Sequence, residues 1–111
     1  MGISGTDVDP ELAEVRGLKS SKGFLVVSVI EESPAELAGL LGVTETKEMD
    51  GREFALDGDI ILAIDGKTVR KISDILVHLQ REKSIGDDMV LSVNRNGEML
   101  ELTMVLEERP R

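Results

Sequence analysis

The sequence predicts one α+β domain, a partly open β-barrel or sandwich of about five to six mostly antiparallel strands capped by two to three helices. Three observations predict this class. The apolar run Ile60–Ile64 lies between Gly-Asp and Asp-Gly turn signals and is typical of a strand buried on both faces. Asn96-Gly97 joins two alternating segments, which is the strongest short-range signal of a β-hairpin. Residues 72–79 place apolar side chains at helical spacing.

The composition agrees with one compact domain and excludes several classes of protein. The chain has 111 residues, 41% of them hydrophobic and 2% aromatic, so we expect residues 1–109 to form one domain with an aliphatic core. The net charge of −9 disfavours nucleic acid and anionic membrane surfaces, because both need basic side chains. Cysteine is absent, which excludes thiolate metal sites. The longest apolar run, residues 24–30, is too short to span a bilayer.

The N-terminal half predicts two strands and two helix starts. Residues 4–8 and 24–30 have strand character, and the second of these segments reads as well buried. Asp9-Pro10-Glu11 begins a helix, with Asp as N-cap and Pro at the first helical position. Ser33-Pro34-Ala35-Glu36 is a capping box that begins a second, shorter helix.

The C-terminal half predicts two hairpins on either side of the central strand and the long helix. Residues 44–55 are polar and turn at Asp50-Gly51, so they predict an inserted surface hairpin that the fold could lose. Residues 89–94 and 99–106 are the last two strands, and residues 107–111 are a polar tail.

The long helix has a distinctive apolar pattern. Ile72, Ile75, Leu76 and Leu79 follow the i, i+3, i+4, i+7 spacing of an amphipathic helix. Ile72, Leu76 and Leu79 fall along one edge, whereas Ile75 turns toward the interior. Periodicity alone also allows all four side chains to be core.

A catalytic Ser-His-Asp triad would have to use the single histidine of the chain, His78. Asp74 precedes it by four residues on the same helix, and Ser73 is adjacent to that Asp. At ~100° per residue, Ser73 points about 140° away from His78, so one helix cannot assemble a triad. We therefore predict a non-catalytic chain in which Asp74 and His78 form an exposed i,i+4 pair.

A metal site is also disfavoured by residue spacing. Asp57, Asp59 and Asp65 flank the central strand but lack the one-three-five spacing of a calcium loop. Turn and cap roles are expected for all three, and no cofactor is implied.

Several short motifs in combination resemble a known family. They are Ser33-Pro34-Ala35, Ala38-Gly39-Leu40, Gly58-Asp59-Ile60-Ile61, Ile64-Asp65-Gly66 and Arg95-Asn96-Gly97. This combination resembles the PDZ domains of trypsin-like serine proteases of the HtrA/Deg type. The resemblance implies the circularly permuted, bacterial strand order, and it covers the chain from Gly2 to about Arg109. The departure is the insert, since simpler members pass almost directly from the short helix to the Gly-Asp turn.

The resemblance implies a peptide-binding site between a sheet edge and the long helix. In PDZ domains an extended peptide adds itself there as a strand, and the amides of an apolar-Gly-apolar loop hold its terminal carboxylate. The residues Lys22-Gly23-Phe24-Leu25 are a second choice for that loop. The expected peptide-binding residues are Met1, Gly2 and Ile3 in the loop, Ser4, Gly5 and Thr6 on the edge, and Ile72, Leu76 and Leu79 on the helix.

Two of these residues carry a more specific expectation. Gly5 would let the ligand backbone approach closely. Many PDZ domains carry a histidine where Ile72 stands, and it selects Ser or Thr two residues before the peptide's end. Ile72 has no hydrogen-bonding group, so an apolar ligand side chain is expected there instead.

The implied function is a non-catalytic module that captures hydrophobic C-termini of substrates or regulators for an HtrA-like serine endopeptidase, a hydrolase whose catalytic domain would precede Met1. The expected partners are C-terminal or extended hydrophobic peptides and that protease domain, without nucleic acid or membrane insertion. By resemblance the parent is extracytoplasmic, either periplasmic or membrane-anchored. One alternative is a structural or oligomerisation module with an occluded groove. Another is a PDZ domain of a different membrane or secretory protein.

Overall fold

The computed structural model describes residues 2–19 and 21–106, which form eight strands and three helices. The predicted polar tail, residues 107–111, lies outside the described residues. The helices are α1 (Pro10–Arg16), α2 (Pro34–Ala38) and α3 (Ile72–Glu82), and the strands are β1 (Ile3–Asp7), β2 (Phe24–Val29), β3 (Thr46–Met49), β4 (Arg52–Ala55), β5 (Ile60–Ile64), β6 (Lys67–Thr68), β7 (Asp88–Arg95) and β8 (Glu98–Val105).

Six of the strands form one sheet in the order β1-β2-β5-β7-β8, with the short β6 also paired to β5. All these pairs are antiparallel. Within the described part of the chain β1 and β8 are not paired with each other, so the sheet stays open. The predicted α+β class is therefore confirmed, and the insert adds the separate pair β3–β4.

The helix starts follow from local side-chain chemistry. Asp9 accepts a hydrogen bond from the Leu12 amide at 2.8 Å, as an N-cap does. Ser33 Oγ accepts one from the Glu36 amide at 3.3 Å and begins α2. Gly17 ends α1 with a φ of 69°, a left-handed conformation that favours glycine. The short sequence motifs are thus sufficient to place these helix ends.

The central strand β5 separates two hydrophobic clusters. Ile60 and Ile61 are both fully buried, and as neighbours on a strand they point to opposite faces of the sheet. Ile61 belongs to the larger cluster, together with the inward-facing Ile75 of α3. Ile60 belongs to the smaller one. The buried members of that smaller cluster are Val8, Leu12, Ala13, Leu25, Phe54, Ala55 and Ile60.

The inserted hairpin β3–β4 covers the smaller cluster. Phe54 and Ala55 of β4 are 6% and 8% exposed and pack with residues of α1, β2 and β5. At the base of the hairpin the Asp57 carboxylate accepts hydrogen bonds from the amides of Thr44 and Glu45 at 2.8 and 3.0 Å. This burial is at odds with a hairpin that the fold could lose.

A buried ion pair fixes the end of α2 to the sheet. Asp59 is fully buried and accepts hydrogen bonds from Arg95 Nε and Nη2 at 2.8 and 2.7 Å. It also accepts one from the Leu41 amide at 3.0 Å, while Arg95 donates to the Gly39 carbonyl at 2.7 Å. Asp59, for which the sequence predicts a turn or cap role, thus forms a buried ion pair that connects β7 to the end of α2.

Candidate functional site

β1 is one of the two edge strands of the sheet, and its end contacts the start of α3. Among the described residues β1 pairs with β2 alone, so no strand occupies its outer edge. Ser4, Gly5 and Thr6 of this strand are exposed. An edge of this kind presents unpaired backbone groups to which an extended chain can add.

The apolar residues predicted for the groove lie on one surface. Ile3 of β1 and Ile72 and Leu79 of α3 are half-buried and pack against the same hydrophobic cluster. Leu76, one helical turn from both Ile72 and Leu79, is 52% exposed. Ile75 faces the core and is fully buried. The interpretation that all four apolar side chains of α3 are core is therefore wrong for Leu76.

The position of Gly2, just before β1, requires a glycine. Its φ is 85°, and a Cβ built on it would lie 2.3 Å from the Cβ of Ser33. Its carbonyl accepts a hydrogen bond from the Ile30 amide at 2.8 Å, which fixes it to the residue after β2. Met1, the first residue of the predicted carboxylate loop, lies outside the described residues.

Gly5 is a glycine for a reason that differs from the predicted one. A Cβ on Gly5 would lie 1.9 Å from the Leu25 carbonyl oxygen, inside the sheet, at the point where the β1–β2 register shifts. A bulge of this kind commonly requires a small residue. The missing side chain therefore serves the close pairing of β1 with β2.

The second-choice loop around Gly23 is closed by hydrogen bonds. Gly23 is buried, and its amide donates to the Arg70 carbonyl at 3.1 Å. Its own carbonyl accepts from the Val8 amide at 3.0 Å. Because the Gly23 amide is already bonded within the fold, it is not free to bind a carboxylate.

Asp7, the last residue of β1, was not predicted and contacts α3 directly. Its Oδ1 accepts a hydrogen bond from the Ile72 amide at 2.8 Å. The N-cap position of α3 is Lys71, whose side chain makes no capping bond. Asp74 instead accepts from the Arg70 amide at 2.9 Å. No local pattern could have found Asp7, because it is 65 residues away from the amide that it binds.

His78 has a different partner from the one predicted. It is 8% exposed, and its Nε2 lies 2.8 Å from Oδ2 of Asp65. Lys83 Nζ contacts the same oxygen at 2.8 Å, and the Val90 amide donates to the other at 2.9 Å. The expected exposed pair with Asp74 is therefore wrong, because the β5–β6 turn brings Asp65 against the inner face of α3.

These contacts perturb the titration of Asp65. Burial alone would raise the pKa of this carboxyl, but hydrogen bonds from Lys83, the Val90 amide and His78 outweigh it. The pKa falls from 3.8 to about 2. A carboxyl with a depressed folded-state pKa stabilises the fold above its unfolded pKa, and that contribution is lost as the pH falls through about 2.

We therefore expect Asp65 to make the folded state acid-sensitive. Its contribution to the free energy of unfolding, at most about 2 kcal/mol, should disappear between about pH 4 and about pH 2. Urea unfolding of the wild type and of Asp65→Asn across this range measures it. The variant should lose less stability on acidification. An equal loss in both proteins would contradict this assignment.

The opposite side of α3 carries a separate cleft of about 390 Å³. Its lining includes Thr68 of β6 and Arg70, Ser73, Val77 and His78. None of the predicted peptide-binding residues lines it. Among the described residues no group of His, Cys, Asp and Glu side chains could hold a metal ion.

The comparisons with known proteins agree with this architecture. The model of the PDZ domain family matches residues 1–106, so the chain belongs to that family. It is the PDZ domain of HtrA/Deg-type serine proteases, as the following relatives show. Because the match takes up residues 1–106, the chain is not itself the catalytic part of such a protease.

Two relatives show the type of PDZ domain. A DegP-like periplasmic serine endoprotease of Marinomonas sp. is 31% identical over 110 residues, covering 99% of this chain and 20% of the relative. The chloroplastic protease Do-like 8 of Arabidopsis thaliana is 38% identical over 95 residues, covering 83% of this chain and 19% of the relative. The chain thus spans about a fifth of the length of the curated relatives that it matches.

Solved structures show the same fold. The HtrA-type protease AlgW with a decapeptide superposes with a TM-score of 0.72 at 29% identity, covering 99% of this chain and 29% of that one. The HtrA3 PDZ domain bound to a phage-derived ligand (FGRWV) gives a TM-score of 0.68 at 21% identity, covering 95% and 81%. No helix within residues 2–19 and 21–106 has the length and apolar character that crossing a membrane requires.

Proposed function

We propose that the chain captures hydrophobic C-terminal peptides by strand addition to β1. The observation that carries this proposal is the unpaired outer edge of β1 beside the exposed Leu76 of α3. A ligand strand running antiparallel to β1 places its C-terminus at the loop Met1-Gly2-Ile3, where backbone amides can hold a carboxylate. The peptides in the AlgW and HtrA3 structures belong to those proteins and support the proposal by similarity.

Side chains of the groove set the ligand preference. Ile3, Leu76 and Leu79 form an aliphatic pocket for the terminal residue, and filling it contributes about 1.5–3 kcal/mol for a Val, Leu or Phe side chain. Ile72 offers no hydrogen bond, so an apolar side chain is preferred two residues before the end. One pocket and a few strand hydrogen bonds, offset by ordering the peptide, give micromolar affinity at about −8 kcal/mol.

The relatives support a particular setting for the domain. We infer that residues 1–109 act as one PDZ domain within an HtrA-type serine protease, whose substrates or regulators supply the captured C-termini. The protease domain of that parent is then its second partner. Because the DegP-like relative of Marinomonas sp. is periplasmic, we infer an extracytoplasmic parent.

A pair of neighbouring substitutions on α3 tests the groove. Leu76 and Val77 have similar exposure, 52% and 46%, but Val77 lines the cleft on the side of α3 away from β1. We expect Leu76→Asp to weaken binding of a free-acid peptide by about tenfold or more, since it removes apolar contact and adds a like charge near the carboxylate. Val77→Asp should bind as the wild type does.

Fluorescence anisotropy with a labelled peptide ending in apolar-x-Val measures both affinities. Both positions are exposed, so circular dichroism should show an unchanged fold for each variant. Equal affinities of the two variants would place the ligand elsewhere. Absence of binding even in the wild type would favour a structural or oligomerisation module with an occluded groove.

A further inference from the structure

Asp7 joins the two walls of the proposed groove. Among the hydrogen bonds found between described residues, the one from the Ile72 amide to Asp7 Oδ1 is the only one that joins β1 directly to α3. Asp7 is the last residue of the strand to which a ligand would add, and Ile72 is the first residue of the helix that faces the ligand. A single carboxylate therefore connects the end of one wall to the start of the other.

The position of this bond makes it more than a local cap. The first amides of a helix need partners from outside the helix, and a carboxylate is favoured there by the helix dipole. For α3 the residue at the N-cap, Lys71, is extended and supplies no side-chain bond. The partner of the Ile72 amide comes from the neighbouring strand instead, so capping α3 and spacing the groove are one interaction.

Other hydrogen bonds hold α3 on either side of this point. The Gly23 amide bonds to the Arg70 carbonyl and fixes the residues before the helix. His78 and Lys83 bond to Asp65 and fix its second half to the β5–β6 turn. The bonds to Asp65 do not involve β1. The Gly23 carbonyl accepts from the Val8 amide, so Gly23 connects the residue after β1 to Arg70, but this bridge does not reach the first turn of α3. Among the described residues, Asp7 therefore provides the one direct hydrogen bond between β1 and that first turn.

We propose that Asp7 is a positioning residue that sets the width of the peptide groove at its Ile72 end, and so sets both affinity and the preference for the ligand's side chain two residues before its C-terminus. This inference rests on the proposed function. Loss of the Asp7 carboxylate lets the first turn of α3 move away from β1. A groove of variable width holds its ligand less well and discriminates less between side chains of different size.

The chain offers a matched control for the test. Asp74 is the other carboxylate at the start of α3, and it bonds to the Arg70 amide without touching β1. Asp7→Ala and Asp74→Ala therefore both remove a carboxylate from the same helix end, but only the first cuts the link between the walls. Asp7→Asn keeps an oxygen that can accept from the Ile72 amide.

The test is a titration of the full 111-residue chain with two free-acid peptides that carry Val or Phe two residues before a C-terminal Val. We expect Asp7→Ala to bind about three- to tenfold more weakly and to lose most of the wild type's preference between the two peptides. Asp7→Asn should stay within about twofold of the wild type. Asp74→Ala should lower the denaturation midpoint while leaving affinity and preference unchanged.

The outcomes separate this inference from the proposed function. If the wild type binds neither free-acid peptide, the proposed function is wrong and the role of Asp7 falls with it. If the wild type binds and Asp7→Ala matches it in affinity and preference, only the role of Asp7 is wrong. Equal losses for Asp7→Ala and Asp74→Ala would reduce Asp7 to a helix cap and would also overturn the inference.

Discussion

Phe54→Ala should lower the free energy of unfolding by about 3–5 kcal/mol, a large part of the stability of a small domain. Phe54, on β4 of the inserted hairpin, is 6% exposed. It belongs to the same buried cluster as Leu12, Leu25 and Ile60. The Arg52 guanidinium lies over its ring, 4.6 Å from the centroid. Truncation leaves a cavity that the surrounding strands fill only in part.

Urea unfolding followed by far-UV circular dichroism measures this loss, since the chain has no Trp or Tyr for fluorescence. Glu53→Ala is the control, because Glu53 is the exposed neighbour on the same strand. It should change stability by no more than about 0.5 kcal/mol. Similar small effects for both variants would show that the hairpin is an appendage, as the sequence had predicted.

Asp59→Ala should destabilise the domain by a comparable amount, about 3–5 kcal/mol. Its carboxylate is fully buried and satisfies both Arg95 and the Leu41 amide. Removing it leaves the partly buried guanidinium without its charge partner and a backbone amide without an acceptor. Breaking one side of such a pair costs more than the pair itself contributes.

A double-mutant cycle with Arg95→Ala isolates the interaction. The double variant should be less destabilised than the sum of the two single variants, because it leaves no unpaired charge behind. All four proteins are compared by their urea midpoints. Simple additivity would contradict a coupled pair and would point to packing alone as the origin of the loss.

The parts of the fold that the sequence predicted are those with local chemical causes. The run Ile60–Ile64 has no polar face, so burial on both sides was its only stable placement. Asp9 and Ser33 cap helices by accepting hydrogen bonds from amides three residues away, so a short sequence motif is enough to predict them. The edge position of β1 came with the resemblance, since no local pattern states which strand of a sheet lies outermost.

The features that escaped prediction depend on distant partners. Asp7 and Ile72, which share a hydrogen bond, are 65 residues apart in the sequence. His78 contacts Asp65 of the β5–β6 turn and not Asp74 of its own helix. Tertiary packing decides such pairings, and spacing along the chain does not encode them. The burial of Phe54 also escaped prediction, because an alternating polar hairpin shows which face is apolar but not that a second core cluster lies beneath it.

The most direct test of the account is a titration of the chain with one peptide ending in apolar-x-Val, prepared as the free acid and as the C-terminal amide. Strand addition with carboxylate capture predicts a micromolar Kd, about −8 kcal/mol, for the free acid and no measurable binding for the amide. A free-acid peptide with Asp at the third-last position should also bind weakly, because Ile72 is apolar. Equal binding of the free acid and the amide would contradict capture of the carboxylate at Met1-Gly2-Ile3.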